Sequence, residues 1–357
     1  MKAMILAAGF GTRLWPLTED RTKPAIPFLN RPLISYSVEY LAERGIRDII
    51  INLHHQPDSI RRAIGDGSSY GVRIHYSYEE EILGTSGALD RVRDLLEGED
   101  FIVMNGKIVT NIDLDGVIRT HREKQALATL VLRENAAREH FSIVEIDERG
   151  WITRFAGFPE AAVSEASVIE GRASVIAGAA RAEESPLMFT GIQVLSPRIF
   201  QYIPRGCFSH STIDVYPRAI EAGEAVVAHI SDGDWFEMST LSRYLEASLL
   251  LARERGLAVI SGPGSVIEPG AEVAQSVLWE GVRVESGARV RYSVLADGVR
   301  IPAGAIIERA VVVRREAVSV LERGQVEGEN VIVPLRRFSE ASLESLESPG
   351  NQRLAPG

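Results

Sequence analysis

The sequence predicts an α/β protein: a mostly parallel sheet flanked by helices, followed by a left-handed parallel β-helix built from hexapeptide repeats. Short apolar runs alternate with amphipathic stretches as far as about residue 255, the pattern of strands and helices wound into a parallel sheet. After Gly256 helical periodicity stops, and Gly270, Gly287 and Gly304 recur 17 residues apart. The length of 357 residues exceeds what one core supports, about 250 to 300 residues, so two domains are expected, over 1–255 and 260–335. The polar stretch 336–357 is expected to fray.

In order, Met4 to Ala8 reads as a buried strand, and Leu33 to Arg44 as a helix whose apolar positions Leu33, Ile34, Tyr36, Val38 and Leu41 share a face. Asp48 to Leu53 is a second strand, Ile60 to Ile64 helical, Val72 to Tyr78 a strand, Ala88 to Leu96 a helix and Phe101 to Asn105 a continuous apolar strand. Ala126 to Leu132 and Phe141 to Ile146 are strands, and Glu148-Arg149-Gly150 turns the chain into Trp151 to Phe155. Small and polar residues over 161–185 predict a surface insertion. Met188 to Leu195 is a strand, while Ile213 to Ala222 and Leu241 to Glu254 are helices. Beyond these, the segments Val266–Val273, Val282–Val290 and Val299–Ile307 align on the 17-residue interval through their glycines, the mark of a solenoid one residue short of three hexapeptides per coil. Three coils leave open ends, which need covering by the other domain, by residues 310–333 or by another subunit, and so favour self-association.

Composition narrows the function. Thirty-nine basic against 49 acidic side chains give a net charge of −10, which argues against a nucleic-acid coat or a polybasic membrane anchor. The single cysteine, Cys207, excludes an internal disulfide and a cysteine-built zinc site and fits a reducing compartment. No apolar run reaches the ~20 residues of a membrane span, and Gly9, Gly11 and Arg13 interrupt the apolar start where a cleavage signal would follow, so cytoplasm is expected.

Against that acidic average, residues 1–31 carry five basic and two acidic side chains. Directly after the first strand comes Leu6-Ala-Ala8-Gly9-Phe-Gly11-Thr12-Arg13, with Lys23-Pro24 ten residues beyond Arg13. Glycines let backbone N–H groups approach an anion, and Arg13 and Lys23 add positive charge, so the string reads as a phosphate cradle. A Walker A loop would need Gly-Lys-Ser/Thr, and a dinucleotide fingerprint a third glycine where Leu14 stands.

The longer string resembles the signature of the sugar-1-phosphate nucleotidyltransferases, also called NDP-sugar pyrophosphorylases. Leu83-Gly84-Thr85-Ser86-Gly87-Ala88-Leu89 is similar to the family's second glycine segment, Thr190-Gly191-Ile192 to its sugar-facing strand and the solenoid to its C-terminal domain, so the resemblance runs from residue 1 to about 313. The motifs look most like the mannose-1-phosphate guanylyltransferase branch. The resemblance implies a Rossmann-like sheet and attack by a sugar-1-phosphate oxygen on the α-phosphorus of a nucleoside triphosphate, with pyrophosphate leaving. It places the pyrophosphate portion on Arg13 and the phosphates on Lys23, the nucleotide against Leu6, Ala8, Gly9, Gly11, Thr12, Gly84 and Thr85, and the sugar against Asn105, Thr190 and Gly191. Mg²⁺ is the implied cofactor.

Three positions depart from the family pattern. Asn-Gly-Asp reads here as Asn105-Gly106-Lys107, and an ammonium cannot ligate Mg²⁺. The second metal aspartate is matched by Glu237, and the Glu-Lys-Pro that meets the sugar phosphate by Gly157-Phe158-Pro159. Two readings stay open: Lys107 takes over part of the metal's work beside the α-phosphate, or Lys107 and Glu237 pair in a protein that binds nucleotide sugars as the regulatory partner of an active paralogue. Acyl transfer by the solenoid is disfavoured, since residues 256–357 contain no histidine. His54-His55 is not expected to share a metal, because neighbours on a strand end point oppositely. Ser209-His210-Ser211 reads as a loop, Cys207 as a thiol without function and Glu79-Glu80-Glu81 as a solvated turn.

Overall fold

Ala3–Leu6, four apolar residues, form β1 inside a nine-stranded sheet, in a computed structural model that describes residues 1–135, 141–156 and 185–335. Helix α1 (Leu33–Glu43), β2 (Asp48–Leu53), α2 (Pro57–Ile64), β3 (Arg73–Tyr78), α3 (Gly84–Arg91) and β4 (Phe101–Asn105) follow. Then come α4 (Leu114–Glu123), β5 (Ala128–Glu134), β6 (Ile143–Ile146), β7 (Ile152–Phe155), β8 (Leu187–Leu195), α5 (Tyr216–Glu221), β9 (Val226–Ile230) and α6 (Leu241–Glu254). The strand order is β7-β6-β8-β4-β1-β2-β3, with β5 paired to β8 and β9. β1 runs parallel to β2 and β4, with Ala3 opposite Ile49 and Ile102, whereas β8 runs antiparallel to β4. Strands covered on both faces read as unbroken apolar runs, as Ile49 to Ile51 and Phe101 to Met104 do.

The chain divides into two compact units. The first comprises Met1–Ala8, Ser37–His54 and Gly65–Trp235, and its core gathers Met4, Ile50, Leu89, Phe101, Leu130 and Tyr216. The second comprises Gly9–Tyr36, His55–Ile64 and the chain from Phe236 onward. The glycine turn therefore clusters with the C-terminal region.

In the second unit the solenoid has three faces. One stacks Val259–Ser261, Ser276–Leu278, Val294–Leu295 and Ala310–Arg314. The others stack Val266–Ile267, Arg283–Val284 and Arg300–Ile301, and Glu272–Ala274, Arg289–Arg291 and Ile306–Glu308. Every pairing within the faces is parallel with a 17-residue step, Val277 on Val294 on Val311 being one column. Val284, Val290, Leu295 and Ile301 fill the interior. Gly287 turns a corner at φ +75°, where a Cβ would come within 3.7 Å of the next coil's Gly304 nitrogen. The final coil is extended by Asn330–Pro334, antiparallel to Ala310–Arg314.

Several elements differ from the sequence expectation. The third helix begins at Gly84, not Ala88, and breaks at Val92, with one further turn over Arg93–Leu96. Residues 213–222 divide into a π-turn, Ser211–Val215, and α5. Helix α4 is an additional element: its buried residues are Leu114, Gly116, Val117 and His121, of which two are large and apolar, too sparse to register as periodicity. All but the last residue of the insertion expected over 161–185, together with Phe158 and the terminal tail, lie outside the described residues.

Candidate active site

In the first unit, the ends of β1 and β4 lie side by side, with Leu6 opposite Asn105 and the Gly106 amide donating to the Leu6 carbonyl at 2.9 Å. Ends of parallel strands are where open α/β sheets bind ligands. Here a cavity of about 250 Å³ is lined by Leu6, Thr85, Asn105, Gly191 and Gln193, and by Phe141, Ser142, Phe189 and the stretch His210–Thr212. Gly191 has φ +83°, and a Cβ there would lie 2.1 Å from Asn105 Nδ2, so only glycine lets the Asn105 amide lie against β8. Thr190 does not line the cavity: its hydroxyl donates to the Val131 carbonyl at 2.9 Å, holding the irregularity where β8 and β5 lose register. Lys107, half-buried, sits on the turn immediately after β4.

The second glycine segment is docked on the Ser209-His210-Ser211 stretch. The Ser209 carbonyl accepts the amides of Ser86 (3.1 Å) and Gly87 (3.3 Å), the Ser86 hydroxyl donates to Ser209 Oγ at 2.8 Å, and the Ser209 amide donates to the Leu83 carbonyl at 3.0 Å. Thr85 and Ser211 exchange bonds: the Ser211 amide donates to Thr85 Oγ1 at 2.8 Å, and the Thr85 hydroxyl to Ser211 Oγ at 3.2 Å. Two glycines make this approach possible. A Cβ on Gly84 would lie 2.4 Å from the Ser209 carbonyl oxygen, and one on Gly87 2.6 Å from that of Cys207. Thus His210–Thr212 is brought to the cavity by the glycine segment, a proximity that the pair of glycines signals without naming its partner.

Beneath the segment, Glu79 is a buried carboxylate, 1% exposed, where a solvated turn was expected. Oε1 accepts from Asn52 Nδ2 at 2.7 Å and Oε2 from the Leu83 amide at 3.0 Å, while Asn52 Oδ1 accepts from the Ala7 amide at 2.7 Å. Buried charge persists where hydrogen bonds satisfy it. This relay ties the strand end leading to Ala8 to the residue preceding Gly84.

In the second unit, Gly11 (φ +72°) begins a tight turn in which the Leu14 amide donates to the Gly11 carbonyl at 2.8 Å and the Thr18 hydroxyl to the same oxygen at 3.1 Å. A Cβ on Gly11 would sit 3.1 Å from Thr18 Cγ2 and 3.3 Å from Lys23 Cβ, so the turn packs directly on the buried Lys23 stem. Gly9, Thr12 and Arg13 are exposed. Glu237 is buried, in the strand Trp235–Glu237, and its carbonyl accepts from Arg243 Nε at 3.1 Å. His54 and His55 take separate partners, the Glu79 carbonyl and the Thr18 carbonyl. Cys207 is exposed. Among the described residues no group of three or more His, Cys, Asp or Glu side chains could hold a metal ion, and no helix is long and apolar enough to cross a membrane.

A glycine-rich turn after the first strand, a cavity at the strand ends and a hexapeptide solenoid define the class: the chain belongs to the nucleotidyl transferase family, whose model matches residues 2–254, followed by a GlmU-like C-terminal hexapeptide match over 252–340. More particularly, its curated relatives include sugar-1-phosphate nucleotidyltransferases, in line with the resemblance of its motifs. The UTP--glucose-1-phosphate uridylyltransferase of Synechocystis is 29% identical over 300 residues, 80% of this chain and 72% of that protein. The mannose-1-phosphate guanylyltransferase of Mycobacterium tuberculosis is 28% identical over 312 residues, 79% of this chain and 80% of that one. A Bacillus anthracis structure, provisionally named a glucose-1-phosphate thymidylyltransferase and solved with sucrose, shares the fold at a TM-score of 0.58 and 22% identity, covering 71% of this chain and 95% of its own.

Proposed function

We propose that this chain transfers a nucleotidyl group from a nucleoside triphosphate to a sugar-1-phosphate, releasing pyrophosphate and a nucleotide sugar, with mannose-1-phosphate and GTP as the favoured pair. The observation that supports this most is the cavity in the first unit, where Leu6, Thr85, Asn105 and Gly191 meet. At about 250 Å³ it suits a monosaccharide better than a drug-sized ligand, whose sites run from ~300 Å³ upward. Little covalent chemistry falls to the protein in such a transfer. The chain's work is to align two anions and neutralise the leaving pyrophosphate, tasks for Arg13, Lys23 and the amides of the glycine turn.

The residues present do not fit the family's Mg²⁺ site. Of the two positions that the resemblance assigns to metal, one carries the Lys107 ammonium and the other the Glu237 carboxylate, so paired carboxylates are lacking. Lys107 then supplies a single positive charge beside the α-phosphate in place of a divalent ion, and turnover is slow. The same substitution favours a second reading, a non-catalytic subunit that binds nucleotide sugars beside an active paralogue, and self-association through the solenoid belongs to either.

Pyrophosphate release from GTP, UTP, ATP and dTTP, with mannose- or glucose-1-phosphate, tests both. Slow release by wild type, raised tenfold or more in Lys107→Asp, is expected. Silence of wild type with turnover by Lys107→Asp alone transfers the case to the regulator, and fast Mg²⁺-dependent turnover by wild type overturns the account of the lost ligand. If neither protein turns over and calorimetry detects no binding of GDP-mannose or any other nucleotide sugar, both readings fall.

A further inference from the structure

The stretch that carries the phosphate turn is anchored along its length by residues between 217 and 308 positions away in sequence, all within the second unit. Arg323 Nη2 donates to the Trp15 carbonyl at 2.7 Å, and its guanidinium lies 5.8 Å from the centre of the Trp15 ring. Glu19 is gripped from two sides: Trp15 Nε1 donates to Oε2 at 3.0 Å, and Ser319 donates to Oε1 through its amide at 3.1 Å and through its hydroxyl. Farther along, Arg21 Nη2 lies 2.6 Å from Asp297 Oδ2 on the solenoid, with its guanidinium 5.1 Å from the centre of the Trp279 ring. Asp297 is held in turn by the Glu280 amide at 3.0 Å. The stretch ends on Asn30, whose side-chain amide donates to the Ser261 carbonyl at 2.9 Å, and on the Pro27 carbonyl, which accepts from the Tyr244 hydroxyl.

Without these bonds the stretch keeps the Thr18 hydroxyl on the Gly11 carbonyl and the contacts of His55, Gln56 and Ser59 with Thr18, Glu19 and Thr22. Between Gly9 and Thr22 its regular structure is a single three-residue 3₁₀ turn, Thr12–Leu14, and Thr12 and Arg13 are exposed. Short turns of this kind open at low free energy unless tertiary contacts fix them. The Arg323 bond falls on the carbonyl two residues beyond Arg13, in the backbone that sets where the Arg13 guanidinium and the neighbouring amides point. A charge-assisted donor with a planar group stacked on the adjacent indole fixes both position and orientation.

We propose that the β-helix and its trailing segment are the positioning element of the phosphate turn, with Arg323 a positioning residue for nucleotide binding. The inference rests on the nucleotidyl-transfer reading for its functional consequence, and on the hydrogen bonds alone for its structural one. It gives the solenoid a task in the reaction without any ligand of its own.

The test uses the full chain carrying Arg323→Ala, Arg323→Lys or Ser319→Ala. Amide hydrogen exchange over residues 9–22 is expected to quicken about tenfold or more in Arg323→Ala and less in Ser319→Ala, with the Leu83–Leu89 segment unchanged. Lysine at 323, which keeps a charged donor and loses the stacking plane, is expected to restore part of the protection. Calorimetry with GTP, UTP, ATP and dTTP is expected to show the nucleotide that wild type prefers bound about tenfold more weakly by Arg323→Ala, while KM for the sugar-1-phosphate holds. Unchanged exchange over 9–22 overturns the positioning role, as does an equal loss for nucleotide and sugar. Faster exchange in a protein whose wild type binds no nucleotide upholds the role and instead removes the proposed function.

Discussion

Glu79→Gln keeps the shape of the side chain and changes its charge, donors and acceptors, which makes its cost calculable from the relay. The carboxylate accepts from Asn52 Nδ2 and from the Leu83 amide, and Asn52 Oδ1 accepts from the Ala7 amide. A glutamine must place its NH₂ group toward one of the first two donors. If that NH₂ faces Leu83, two donors meet at once. If it faces Asn52, the Asn52 amide can flip to offer its oxygen, and its own NH₂ then meets the Ala7 N–H. Every arrangement therefore leaves one donor facing another in a site 1% exposed. An unsatisfied buried donor costs about 1 to 3 kcal/mol, and the surviving bond falls from charge-assisted to neutral strength, so the total is about 2 to 4 kcal/mol, a large share of the ~5 to 15 kcal/mol that holds a domain. Urea denaturation measures this directly. The displaced Leu83 and Ala7 amides border Gly84 and Ala8, so nucleotide affinity measured by calorimetry is expected to fall with stability. A variant within ~0.5 kcal/mol of wild type would show that the relay does not hold the two segments.

Gly84→Ala forces a left-handed backbone costing about 1 to 2 kcal/mol and thrusts a methyl 2.4 Å from the Ser209 oxygen; with two amide bonds to that oxygen strained, a loss of about 3 to 4 kcal/mol is expected in the same denaturation assay. Gly191→Ala, whose Cβ would meet Asn105 Nδ2 at 2.1 Å, is expected to weaken sugar-1-phosphate binding more than nucleotide binding, as separate KM values would show. Burial raises the Asp90 carboxyl pKa, but the Gly206 amide and Arg93 outweigh it and hold it below the usual carboxylate value. A depressed carboxyl stabilises the fold above its unfolded pKa and loses that contribution as pH falls through the folded one. Wild type should therefore lose more stability than Asp90→Asn below about pH 4, and parallel pH–stability curves would refute the assignment.

Spacing alone made much of this protein legible. Uninterrupted apolar runs announced the buried strands, and a glycine interval of 17 residues announced the solenoid, whose register keeps that step in every coil. Glycines and two cations after the first strand read as an anion cradle, because backbone amides near an anion need residues without side chains, and the nucleotide titration above tests that reading. Such signals are local: each follows from residues within one turn, strand or coil. What only the tertiary structure decided involves partners far apart in sequence. Glu79 reads as a solvated acid among three, yet the donors that make its burial tolerable come from Asn52 and from Leu83. Ser209 and Ser211 look like an ordinary polar loop until Gly84 and Gly87 let them close against the helix start. Arg323 lies about 300 residues beyond the turn it braces. A sequence states which groups a chain carries and how they are spaced; the satisfaction of a buried charge or an unpaired carbonyl depends on which distant group folding brings within about 3 Å.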